Sequence, residues 1–171
     1  MKHIFIFCFF SLVFFSGYSQ KKSIDFPENA LGIYKGTLVI NSSKGEQEIP
    51  MEFHLKKTDS AHKFNYVLMY NNSPRNYTLI VKDKSKGIYE VDENNGIILP
   101  TRFANNTLYS FFEVQGNFLS SRISFSENEL DFEILYSAKK NKITTGGISK
   151  DIPEVLGFPI SVVQSATLKK E

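Results

Sequence analysis

The chain has no tryptophan, only three histidines, and a single cysteine, Cys8. Cys8 stands inside an apolar N-terminal run, and cleavage after Ser19 removes it. That excludes a disulfide framework, a thiol nucleophile and thiolate-held metal from the remainder. Beyond that run only His54 and His62 are left. A metal site needs three or four converging ligands, and nothing here supplies a partner for either histidine, so no metal is expected. An excess of one charge is also missing: 20 Lys and Arg face 18 Asp and Glu, and 19 face 18 once Lys2 is lost. Without a basic stripe, nucleic acid is not an expected partner.

Catalytic signatures are absent as well. The sequence has no Gly-x-Ser-x-Gly, no Cys–His pair and no phosphate-cradling glycine loop with lysine. Thr144-Thr-Gly-Gly147 follows a strand-like run, but no long helix comes after it to supply a dipole. It reads as a connection or a lip at one end of the fold. The acids Asp92-Glu93 and Glu127/Glu129 sit among turn residues, where acids are ordinary. No catalytic residue and no cofactor are expected, and a non-enzymatic role is favoured.

What the chain does have is aromatic, strand-forming sequence, with 16 Phe and 8 Tyr. The first 19 residues stand apart. Lys2 precedes an apolar run from Ile4 to Phe15, and Gly17 and Ser19 occupy the minus-three and minus-one positions of a signal-peptidase site. The run is short for a membrane span. The expectation is a cleaved signal peptide over 1–19, leaving no membrane span and an exported protein, periplasmic or secreted. Residues 20–30 read as a loosely held polar leader, and 31–171 as one domain.

From Leu31 onward, strand-like runs alternate with clusters of Asn, Ser, Gly, Asp and Lys. Strands are predicted at 32–40, 47–57, 63–70, 75–82, 87–92, 97–103, 107–115, 118–125, 130–138 and 160–169. Turn signals at this spacing indicate consecutive antiparallel hairpins. Phe64, Tyr66, Leu68 and Tyr70 share a face, as do Tyr77, Leu79 and Val81. Half-apolar faces of this kind argue against a parallel sheet buried on both sides. The one short helical candidate is 152–156, with Asp151 placed to cap and Pro153 early.

The pattern is clearest over 107–138. A hairpin turn at Gly116-Asn117 would set Val114 opposite Leu119 and Phe112 opposite Ser121. A second at Glu127-Asn128 sets Phe125 opposite Leu130, Ile123 opposite Phe132 and Arg122 opposite Glu133. Phe112, Ile123 and Phe132 then point inward as neighbours. A slip of one residue would exchange the faces, so the alternation fixes them. Ten such strands make an all-β protein: an antiparallel up-and-down meander closing into a barrel, with a β-sandwich as the alternative. Closure pairs 32–40 with 161–169 and removes the edges. Barrels of eight strands or more leave room for a small ligand.

Gly32-Ile-Tyr-Lys-Gly36 in the first strand, followed by this meander, resembles the calycin group of lipocalins and fatty-acid-binding proteins. Lipocalins carry Gly-x-Trp here, the ring plugging the closed end. Tyr34 takes the matching position, and no lipocalin C-terminal helix follows. The Tyr-Ser-Gln ending of the N-terminal run is similar to that of secreted Bacteroidota proteins, which include small lipocalin-like barrels. The resemblance implies a ligand-binding barrel.

The expected ligand is a small apolar or amphipathic molecule held inside. Tyr34, Phe53, Phe64, Tyr66, Tyr77, Phe112, Phe132 and Tyr136 are the candidate side chains to line or plug the cavity. The competing expectation is a cell-envelope interaction module whose barrel is filled by its own side chains. Arg122 has two readings: an interior anchor for a ligand carboxylate, or half of an exterior ion ladder with Glu133, which is favoured. Asp59-Ser60-Ala61 reads as an O-glycosylation acceptor of the Bacteroidota type or as an Asx turn. A membrane barrel would need an aromatic-girdled outer band and usually long loops on one side, whereas the turns here are short through the first nine strands and the last strand runs into Lys169-Lys170-Glu171.

Overall fold

The structure, a computed structural model, describes residues 24–171. The expected signal peptide lies outside the described residues. Ten antiparallel strands form a closed barrel: β1 (Gly32–Ser42), β2 (Gly45–Lys57), β3 (Lys63–Tyr70), β4 (Ser73–Asp83), β5 (Ile88–Asp92), β6 (Ile98–Ala104), β7 (Thr107–Val114), β8 (Asn117–Phe125), β9 (Glu129–Ala138) and β12 (Val162–Lys170). Each pairs with its sequence neighbour, and β12 closes the ring by pairing with β9 and β1. The sandwich alternative is excluded. Between β9 and β12 the chain leaves the barrel as a small ribbon, β10 (Ile143–Thr145) against β11 (Val155–Gly157). The helix expected at 152–156 is absent; Ile152 forms an isolated bridge with Ser149, and Val155 begins β11. Thr144 and Thr145 belong to β10, and Gly146 and Gly147 carry positive φ where the ribbon turns.

The β8–β9 register is the one the alternation demands, with Ile123 opposite Phe132, Phe125 opposite Leu130, and Arg122 opposite Glu133. The β7–β8 register differs by two residues. Val114 pairs with Asn117 and Phe112 with Leu119, so the turn residues are Gln115 (φ 49°) and Gly116 (φ 74°). A two-residue turn of this hand needs positive φ at both positions, and Gln115 accepts it here. Because the slip is two residues, the faces are unchanged. Phe112 does face inward, but its cross-strand neighbour is Leu119 rather than a residue beside Ile123.

The leader also departs from expectation. Phe26 is buried at 2 % exposure, stacked on Phe103 (centroids 4.3 Å) and edge-on to Tyr89 (5.2 Å). A 3₁₀ turn, Glu28–Ala30, follows it. The Tyr89 hydroxyl donates to the Phe26 carbonyl (3.1 Å), and the Tyr34 hydroxyl to the Ala30 carbonyl (2.9 Å). Lys84 bridges Asp25 and Glu28 from outside. Residues 24–30 are thus a stopper, inserted in the barrel end where β1 begins and β12 finishes. Ile24 and Phe26 alone are too few apolar residues to establish a period, so the sequence pattern does not reveal it.

Above the stopper the interior is solidly packed by Tyr34, Phe53, Leu55, Leu79, Phe125 and Leu130, all effectively without exposure. Gly36 permits the β1–β12 closure. A Cβ on it would lie 2.8 Å from the Thr167 carbonyl oxygen and 2.9 Å from Leu168 Cδ2.

Candidate functional site

The two ends of the barrel differ. Following the even residues of β1, Tyr34 and Leu38 are fully buried, whereas Ile40 is half-buried and Ser42 ends the strand. The same gradient runs along other strands. Phe132 is buried while Ile134 and Tyr136 are half-buried; Ile123 is buried while Ser121 and Leu119 are half-buried. All of these face the axis by register. In the half of the barrel away from the stopper, the cup, inward-facing Tyr70, Tyr77, Leu99, Phe112, Leu119 and Tyr136 are therefore only half-buried.

The eight residues singled out from sequence all face inward, and the structure divides them. Tyr34, Phe53, Phe64 and Phe132 form the packed floor. Tyr66 lies at the transition, and Tyr77, Phe112 and Tyr136 line the cup. Tyr66 and Tyr77 are directly opposed, with ring centroids 6.2 Å apart. Tyr136 donates its hydroxyl to Asn117 Oδ1 (2.6 Å) at the rim. Burial pushes the Tyr66 hydroxyl well above its usual range, reinforced by Tyr70 and Tyr77. Burial also raises Tyr70, to about 12, against a lowering influence from Arg75. At ordinary pH these phenols are neutral and able to donate.

Polar groups interrupt the apolar wall midway. Thr101 and Ser110, opposed across β6 and β7, share a hydrogen bond of 2.8 Å, and Gln164 of β12 faces inward opposite Ile40. Sequence inspection missed these, and it missed Arg75. Arg75 lies two residues before Tyr77 on the same face of β4, opposite buried Leu68. That spacing was the available signal. Arg122 is exterior and pairs with Glu133 at 3.3 Å.

One wall of the cup is split. The β6–β7 ladder runs only from Ala104/Thr107 to Thr101/Ser110. Counting by twos from the turn, Pro100 falls at the next hydrogen-bonding position, and proline has no N–H to offer β7. Beyond it, residues 98–100 pair only with β5 and 111–114 only with β8. A groove of about 520 Å³ opens at this seam, lined by Ile88, Pro100, Tyr109 and Phe111 and reaching Thr101 and Ser110.

Outside the cup, His54 is engaged with Glu52 at 2.7 Å. Among the described residues, no three His, Cys, Asp or Glu side chains converge on a metal-sized site. Asp59-Ser60-Ala61 lies exposed in the β2–β3 turn. The turn is held by Thr58 rather than by Asp59: Ser60 N–H donates to Thr58 Oγ1 (3.1 Å), which itself donates to the Lys63 carbonyl (2.7 Å).

No protein-family model, curated protein or solved structure matches this chain.

Proposed function

We propose that the protein is an exported, lipocalin-like barrel that binds a small apolar or amphipathic molecule in its open half and performs no chemistry on it. The observation that carries this reading is the burial gradient. One end is stoppered by Phe26 and packed solid, while aromatic side chains at the other end face inward yet remain within reach of solvent. A preformed apolar cup with a few polar groups is the usual form of a small-molecule site. Filling it removes aromatic surface from water, at about 25 cal/mol per Å². The place of Tyr34 at the stoppered end agrees with the lipocalin-like resemblance of Gly32-x-Tyr34. Export rests on the N-terminal apolar run.

The outer surface supports a water-facing barrel. Ion pairs occur on it at Lys35–Glu52, Lys82–Glu90 and Arg122–Glu133, across three separate strand pairs. A membrane barrel presents an apolar band there.

Titration with the neutral fluorophore N-phenyl-1-naphthylamine tests the reading. Saturable enhancement at one site per chain, reduced by Phe112→Asp, is expected; a linear, unsaturable response overturns it.

The competing role of envelope interaction module has one observation in its favour. Ile143, Ile148, Ile152, Val155 and Leu156 of the ribbon are all exposed. An aromatic ridge, Phe111–Phe118–Phe158, runs from the seam toward that excursion, with centroid spacings of 5.7 and 4.8 Å. Exposed apolar area of this kind marks contact surfaces. Ile148→Asp with Val155→Asp separates the roles, because a carrier keeps its fluorophore binding.

A further inference from the structure

Six tyrosines, Tyr34, Tyr66, Tyr70, Tyr77, Tyr89 and Tyr136, face the interior, and they divide by what their hydroxyls do. Three are committed: Tyr34 to the Ala30 carbonyl, Tyr89 to the Phe26 carbonyl, Tyr136 to Asn117. The other three, Tyr66, Tyr70 and Tyr77, have no hydrogen-bond partner among the described residues. No sealed, unpaired side-chain polar atom is found among those residues, so each hydroxyl keeps some access to the cup, although Tyr66 and Tyr70 are largely buried. All three come from one hairpin, β3–β4.

The same hairpin carries Arg75. Its Cβ is on the interior side, opposite Leu68, and its guanidinium carbon is 5.5 Å from the Tyr70 ring centroid. It has no carboxylate partner among the described residues, whereas Lys35, Lys82, Lys84, Arg122 and Lys139 each have one. Nor, among the described residues, does any acid occupy an inward-facing position in the open half of the strands; Glu46, Glu48, Asp92 and Glu113 are on outward positions. The cup therefore combines a guanidinium lacking a counter-ion with uncommitted phenol donors and no competing anion. Donors in this arrangement match an oxyanion, and charge-assisted hydrogen bonds are the stronger kind.

We infer that the Arg75, Tyr70 and Tyr77 cluster binds the anionic oxygen head of an amphiphile, with the tail directed down the cup toward Tyr66 and the aromatic floor. This rests on the cavity reading and adds to it a ligand charge, a head-group class and an orientation. Carboxylate and phosphate monoester heads share the required chemistry. The head stays at the rim, where Arg75 is hydrated in the free protein and need not be desolvated alone.

The test is displacement of N-phenyl-1-naphthylamine from the purified, delipidated protein by dodecanoate, dodecyl phosphate and 1-dodecanol. Dodecanoate or dodecyl phosphate should compete at least about tenfold better than the alcohol, a difference of about 1.4 kcal/mol. The stronger of the two identifies the head. Arg75→Gln should abolish that preference, and Arg75→Lys should retain part of it. Tyr77→Phe should weaken the acid several-fold more than the alcohol. Thermal denaturation of each variant separates a binding defect from unfolding. If alcohol and anions compete equally, or if Arg75→Gln keeps the preference, Arg75 only covers the Tyr70 ring and the inference falls while the cavity reading stands. Failure of the fluorophore itself to bind overturns both.

Discussion

Tyr89 holds Phe26 twice. Its hydroxyl donates to the Phe26 carbonyl at 3.1 Å, and its ring meets the Phe26 ring edge-on at 5.2 Å. Phe26 precedes the first strand, and Tyr89 lies in β5, so one contact ties the chain's leading segment across the barrel end. The stopper fixes which end is closed, and hence which end is the cup.

Phe26→Ala should cost about 3–5 kcal/mol, the range for truncating a buried aromatic. Tyr34→Phe, which deletes the donor to Ala30 and strands that carbonyl, should cost about 1–3 kcal/mol. Urea denaturation gives both values. A loss below about 1 kcal/mol for Phe26→Ala would mean that the leader does not seat in solution.

The central meander separates interior from exterior energetics. Phe132 is buried opposite Ile123, so Phe132→Ala should cost about 3–5 kcal/mol. Arg122, paired with Glu133 on the outside, is half solvated, and Arg122→Ala should cost about 0–1 kcal/mol. Equal damage from the two would contradict the assignment of faces.

Much of this fold was legible because alternation with period two is a strong signal in long strands. It fixed the inward set from Leu108 to Tyr136 even though the β7–β8 turn is displaced. The displacement itself was illegible: Gly-Asn is the better turn pair on backbone preference, and Gln115 at φ 49° goes against that preference. β10 and β11 have three residues each, too few to show alternation. At the cup, alternation gave the inward positions of Tyr77, Phe112 and Tyr136, but Tyr70, on the same face as Tyr66, was not singled out. The division into floor and cup was not readable, since burial depends on how far each position lies from the stopper. Arg75 was overlooked because a charged residue at a strand start reads as part of a turn.

Gly36 offers a test of closure. Gly36→Val introduces a Cβ against the Thr167 carbonyl oxygen, a backbone atom that cannot move without parting β1 from β12. A loss of about 1–3 kcal/mol is expected for overpacking. Hydrogen exchange should show its largest acceleration at the β1–β12 amides, whereas Gly157→Ala, whose Cβ would meet only the Ile143 carbonyl oxygen at 3.7 Å, should leave that seam protected.

The buried phenols predict an alkaline limit to stability. Burial raises Tyr66, and raises Tyr70 to about 12, above the ordinary value of 10.0. A group whose folded pKa is raised contributes stability that is complete below the unfolded pKa. That contribution is lost as pH climbs through the folded value. For Tyr70 the window runs from about 10 to about 12. Each such tyrosine should cost up to about 1.4 kcal/mol per pH unit inside its window. Lys84, held by Asp25 and Glu28, is also raised to about 12 and fades over the same window, but it is well exposed and contributes weakly. Urea midpoints at about pH 9 and about pH 11 for the wild type, Tyr66→Phe and Tyr70→Phe isolate the phenols. The wild type should lose stability between the two conditions, and each variant should lose less, by about 1 kcal/mol or more. If Tyr70→Phe declines as steeply as the wild type, burial does not hold the Tyr70 phenol neutral, and the cup is more hydrated at β3–β4 than its packing indicates.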